Sequence, residues 1–130
     1  MQRKVLLFAT LSAAITVAMG AMGAHFLKQK ISVENLQIFE TAIKYQMYHS
    51  FALVLIALLI DKFPARYFVF IAYSFILGIV LFSGSLYLLA LKPLLGIDNW
   101  VFLGLLTPIG GIAFITAWIL FFIAILKNKA

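Results

Sequence analysis

Few side chains in this sequence could take part in proton or metal chemistry. The histidines are His25 and His49, the acids are Glu34, Glu40, Asp61 and Asp98, and there is no cysteine. Imidazole is the side chain whose unperturbed titration falls near neutral pH, so His49 and His25 are the first candidates for moving a proton or holding a ligand. Tyr45, Gln46, Ser83, Ser85, Tyr87 and Thr107 can all donate or accept hydrogen bonds, and they complete a candidate polar cluster around His49. On a helix, Tyr45 lies close to His49 around the axis and Gln46 about 60° away. Glu40 stands nine residues before His49 and points to about the opposite side, so the two cannot grip one ion from a single helix. No metal site, no cofactor and no set of nucleophile, base and acid is expected.

The medium decides what these groups are worth. Hydrophobic residues make up 65% of the 130-residue chain and charged residues 11%, against roughly 25% charged in a soluble domain. A soluble core of this size cannot hide so much apolar surface, so lipid must be the solvent for most of the chain. The formal charge is +6, yet the basic residues stand singly or in pairs at the edges of apolar stretches. That pattern predicts anchoring among lipid headgroups and no nucleic-acid partner.

Four charge-free windows define the spans: Val5–Leu27, Tyr45–Ile60, Tyr67–Leu91 and Asn99–Leu126. A crossing helix needs about 20 residues. The second window has only 16, so its helix must begin earlier and carry polar groups with it. Ser32 is a suitable N-cap with Glu34 in the first turn, and Val33, Leu36, Phe39 and Ile43 recur at helical spacing. The expected fold is therefore all-α, one transmembrane domain over 1–130. Its helices are expected at about 5–27, 33–60, 66–91 and 99–126, the second extended by an amphipathic start. The first is expected to be a retained helix and not a cleaved signal, because its apolar run exceeds a typical signal core. Lys92, Pro93 and Gly96 are expected to close helix three. Pro108 is expected to kink helix four; the alternative is that Thr107 caps a helix with Pro108 at its first position.

With four spans both ends share one side. Counting Arg3, Lys4, Lys62, Arg66, Lys127 and Lys129 on that side, against Lys28, Lys30, Lys44 and Lys92 on the other, predicts cytoplasmic termini. His49 lies 12 residues from Asp61, about 18 Å from that membrane edge, and His25 lies about 31 Å from Lys4. The two differ in depth by about 10 Å, which speaks against a shared site. His49 is expected to face the bundle and bond to Ser83, Ser85, Tyr87 or the Thr107–Gly111 break, with Tyr45 bordering it. His25, Glu40 and Lys44 are interface candidates. Gly20, Gly23, Gly84, Gly110 and Gly111 are expected to let helices approach closely.

Four blocks stand in order along the chain: Gly20–His25; Phe39–Ala42 with Tyr45–His49; Phe82–Tyr87; and Thr107–Gly111. Together they resemble the YgdD/YwdK family of small uncharacterised membrane proteins, which has vertebrate transmembrane relatives. The resemblance implies a four-span, multi-pass protein of the bacterial plasma membrane. It supplies no reaction, substrate or cofactor.

The leading expectation for function is a non-catalytic protein that packs with a second copy or a membrane-protein partner in the lipid bilayer. The alternative is a small transporter, channel or lipid- or ligand-binding module built on the polar cluster around His49. A further alternative is an enzyme acting on a lipid or a quinone-like molecule. A filled bundle favours the first reading, and a cavity reaching the polar residues favours the others.

Overall fold

A computed structural model describes residues 1–128, and they are helical with short connections. Helix α1 spans Gln2–His25 and ends in a 3₁₀ turn, Leu27–Gln29. Helix α2 spans Val33–Leu58 and is followed by a 3₁₀ turn, Ile60–Lys62. Helix α3 runs over Ala65–Leu95 with a π-helical segment at Ile79–Ser83, and α4 over Leu103–Lys127.

The starts and stops follow from local chemistry. Ser32 caps α2, its hydroxyl oxygen accepting the Asn35 N–H at 3.1 Å. Helix α3 continues through Pro93 to Leu95, past the expected end at 91. Its stop is Gly96, at φ +67° and ψ +31°, the left-handed conformation that glycine adopts without steric cost. The next residues form turns, with Trp100 N–H bonded to the Ile97 carbonyl at 2.9 Å, so α4 begins at Leu103 and not near Asn99. Pro108 lies inside α4, which rules out the alternative in which Thr107 caps the helix.

Three of the helices are long and apolar enough to cross a membrane: α1 with its 3₁₀ turn, α3 and α4. Helix α2 is as long, at 26 residues, but carries the polar groups that the sequence places in it. The Gln2 side-chain amide donates to the Ala57 carbonyl at 2.8 Å, satisfying one of the orphan acceptors in the last turn of α2. The Lys127 ammonium lies 5.7 Å from the Tyr67 ring centre. Both termini of the described chain therefore sit at the end of the bundle that holds the Ile60–Lys62 turn. The expected place of Lys129 among these basic groups lies outside the described residues.

Two apolar cores result. The larger, near that end, joins Ala9, Leu53, Ile56, Ile71, Phe75, Ala117 and Phe121. The smaller, at the other end, is built on Leu27, Phe39 and Ala90. Between them lies a belt of buried polar side chains: Ser12, Gln46, His49, Ser50, Ser83 and Ser85. In lipid no hydrophobic force pulls helices together, so close packing and interhelical hydrogen bonds must do so. The belt supplies the hydrogen bonds at the middle of the bundle.

The close packing centres on glycine. At Gly110 an added Cβ would run into the backbone of Phe82, so α4 presses against α3 at the π segment. At Gly78 it would run into the Phe114 ring, and at Gly23 it would come within 3.0 Å of the Phe39 ring. Gly111 is looser, its nearest neighbour being the Phe82 ring at 3.8 Å. Gly20 and Gly84 depart from expectation: among the described residues an added Cβ at either meets nothing within 4 Å. Regular α-helical spacing would put Val80, Ser83, Gly84 and Tyr87 along one stripe. The π segment shifts the phase by its wider turn, leaving Val80 exposed while Ser83 turns inward.

Candidate functional site: a polar belt and a lateral aromatic cleft

The residues expected to form one cluster separate into distinct groups. In the first, Tyr87 O–H donates to Gln46 Oε1 at 2.6 Å, and Gln46 Nε2 donates to the Ser12 carbonyl at 3.1 Å and to Ser12 Oγ at 3.2 Å. Ser50 Oγ lies 2.8 Å from Ser12 Oγ and 2.7 Å from the Gln46 carbonyl. Three helices are thereby tied through one amide.

Ser83 and Ser85 stand two residues apart and face different helices. The Ser83 hydroxyl donates to the Ala42 carbonyl of α2 at 2.9 Å. Ser85 Oγ lies 2.6 Å from Thr107 Oγ1 of α4. These bonds tie α3 to α2 and to α4 at the C-terminal end of its π segment.

His49 takes a different partner from those expected. It is buried, and its Nδ1 lies 2.6 Å from the Tyr45 carbonyl one turn earlier. Its Nε2 accepts the indole N–H of Trp118 at 3.2 Å. The bonds expected to Ser83, Ser85, Tyr87 or the Thr107–Gly111 break do not form, because α4 presents Trp118 and Phe114 at this level. The imidazole stacks on Phe114 with ring centres 3.5 Å apart and planes 10° apart. The Tyr45 ring lies 6.0 Å away and nearly parallel.

Beside this stack is a cleft of about 490 Å³. Tyr45, Tyr48 and His49 of α2 form one side, Phe82 of α3 the back, and Gly111, Phe114, Ile115 and Trp118 of α4 the other side. Tyr45, Tyr48 and Trp118 are exposed, so the cleft opens laterally, where a bilayer would surround the bundle. Its walls are aromatic, and its polar groups are the His49–Trp118 pair and the two tyrosines.

The remaining candidates lie apart from it. His25, Glu40 and Lys44 are exposed. Among the described residues no three His, Asp or Glu side chains gather where they could hold a metal ion. No buried side-chain nitrogen or oxygen among them lacks a hydrogen-bond partner. Sequence reasoning missed Ser12, Ser50, Trp118 and Gly78. Ser50 stands one helical turn from Gln46 and was open to the spacing argument, whereas nothing in the spacing marks Trp118.

Comparison with known proteins places the chain among membrane proteins of unknown function. A family model described as a protein of unknown function, DUF423, matches residues 19–111. The chain is 39% identical over 123 residues to the UPF0382 membrane protein YwdK of Bacillus subtilis, covering 94% of this chain and 95% of that one. It is 35% identical over 127 residues to the UPF0382 inner membrane protein YgdD of Escherichia coli K12, covering 98% and 92%. A UPF0382 membrane protein of Staphylococcus epidermidis is 40% identical over 122 residues, covering 94% of each chain. No solved structure matches the chain.

Proposed function

Since the chain belongs to the DUF423 (UPF0382) family of membrane proteins of unknown function, we propose that it is a non-catalytic binding module that holds a lipid-soluble ligand in the cleft beside His49. The observation that carries this is the cleft itself, which reaches His49 and opens sideways. Its volume lies within the roughly 300–1,000 Å³ usual for small-molecule sites. Aromatic walls favour a ligand with a flat ring or an extended unsaturated portion. One hydrogen-bonding group on that ligand would meet the Trp118 N–H or a tyrosine hydroxyl. Such a ligand reaches the cleft through the hydrocarbon and needs no pore.

In this reading α2 is a fourth crossing. At 26 residues it extends about 39 Å, enough to span about 30 Å of hydrocarbon. Gln46, His49 and Ser50 are buried, so their polarity is hidden from lipid. The excess of basic residues at the terminal end supports cytoplasmic termini.

The test is analysis of small molecules that co-purify in mild detergent. Gly111→Leu should fill the cleft, because the first added carbon meets only ordinary contact with the Phe82 ring. A species bound to the wild type and missing from a folded Gly111→Leu protein is expected. The same species in both would remove the cleft as its site.

A second reading, self-assembly or packing on a partner, draws on Gly20 and Gly84. Both leave room for close approach that no other described residue uses. Bulky substitution at these positions would lower the particle mass in detergent if that reading holds and leave it unchanged otherwise.

A further inference from the structure

Helix α1 packs closely on α2, but its seam with α3 is unfilled. Lys4, Val5 and Phe8 of α1 and Ala72, Tyr73 and Ile76 of α3 bound a groove of about 300 Å³. A second hollow of about 110 Å³ continues it toward Ser12, Ile15 and Ile79, and Phe8 lines both. From Lys4 to Ile15 the seam covers about 16 Å of helix. That is about half of the roughly 30 Å hydrocarbon core, the depth that one leaflet's acyl chains occupy.

The two ends of the seam differ in chemistry. Along its length the walls are apolar, formed by Val5, Phe8, Ala72 and Ile76, and its deepest part reaches Ser12 and Gln46, which are bonded to each other. Its mouth carries Lys4, at the end of the bundle that also holds Arg3, Lys62 and Arg66. Of the four acids only Asp61 lies at this end. We propose that the α1–α3 seam is a site for one anionic glycerophospholipid, its acyl chain lying along Phe8 and Ile76 and its phosphate paired with Lys4. Apolar walls, leaflet-length reach and a basic mouth match the three parts of such a lipid. The site is separate from the cleft beside His49 and does not depend on what that cleft binds.

Native mass spectrometry of the full chain tests this, with phosphatidylglycerol and phosphatidylcholine of identical acyl chains titrated in detergent. The wild type should retain phosphatidylglycerol in preference. Lys4→Gln should weaken that lipid about fivefold, the factor expected for one basic residue near a membrane surface, and leave phosphatidylcholine unchanged. Lys62→Gln removes a charge at the same end outside the seam and should retain wild-type affinity. Ile76→Trp should fill the seam and reduce binding of both lipids, with circular dichroism confirming that it folds. Equal binding of the two lipids by the wild type would overturn the proposal. So would a loss in Lys62→Gln as large as in Lys4→Gln, or full lipid binding by a folded Ile76→Trp protein.

Discussion

The indole of Trp118 donates to His49 Nε2 at 3.2 Å, joining α4 to α2 across the floor of the lateral cleft. The same imidazole approaches the Tyr45 carbonyl through Nδ1 at 2.6 Å. Both bonds hold together only if the ring is neutral and protonated on Nδ1, since Nε2 must accept and a carbonyl cannot donate. The stack on Phe114 fixes the ring plane, so this histidine is held by two bonds and one face.

That arrangement separates two substitutions. Trp118→Phe keeps an aromatic ring and removes only the donor. Interhelical hydrogen bonds in membranes average about 0.6 kcal/mol and reach about 1.7 kcal/mol, so the cost should fall in that range. His49→Gln can still donate and accept but loses the stacked ring, so it should cost more than Trp118→Phe. Thermal unfolding in detergent measures both. An equal or smaller loss in His49→Gln would mean that the stack contributes nothing.

Neighbouring glycines of α4 should respond in opposite ways. Gly110→Ala forces a methyl group into the Phe82 backbone, which cannot move aside as a side chain can. Overpacking costs typically about 1–3 kcal/mol, and this site belongs at the upper end. Gly111→Ala meets only a ring at van der Waals distance, and alanine favours the helix by roughly 0.8–1 kcal/mol over glycine. It should be neutral or mildly stabilising. A common melting temperature for the two variants would contradict the close approach of α3 and α4.

Gln46 should be the most costly polar residue of the belt to replace. Gln46→Leu removes the acceptor of the Tyr87 hydroxyl and the donor to Ser12 together, and it leaves a phenol unpaired in a nonaqueous interior. Tyr87→Phe loses the single bond and should cost about 0.6 kcal/mol. The double variant should cost less than the sum, because the unpaired phenol is then gone. Strict additivity in chemical or thermal unfolding would show that the two side chains do not interact.

How far the sequence reveals this arrangement depends on what each signal measures. Charge spacing located the helices, because lipid excludes charge sharply. Ser32 announced the start of α2 by its chemistry, and the capping bond forms. Burial of His49 followed from the cost of a polar group in hydrocarbon, but its partner did not. Choosing between Ser83 and Trp118 requires the relative rotation of α3 and α4, and periodicity within one helix carries no such information. The π segment is hidden as well: Ile79–Ser83 is uniformly compatible with an α-helix, and the wider turn falls where Gly110 of α4 meets the Phe82 backbone. Gly84 follows that segment, and an added Cβ there meets no other described residue within 4 Å, since one wider turn rotates the residues beyond it.

Sidedness can be tested directly because the chain has no cysteine, so a single introduced thiol reports one position. Gln29 lies in the connection after α1, and Lys62 in the turn after α2, at the end where Gln2 bonds to Ala57. If α2 crosses the membrane, these two positions lie on opposite sides. If the basic residues set the orientation, Lys62 is cytoplasmic and Gln29 faces out. A membrane-impermeant maleimide applied to intact cells should therefore label Gln29→Cys and spare Lys62→Cys until the cells are opened. Labelling of Lys62→Cys alone would reverse the orientation and keep four crossings. Labelling of both, or protection of both until lysis, would place them on one side and remove α2 from the spans. The burial of Gln46, His49 and Ser50 would then need a different reason, since α2 would no longer have to hide its polar groups from lipid.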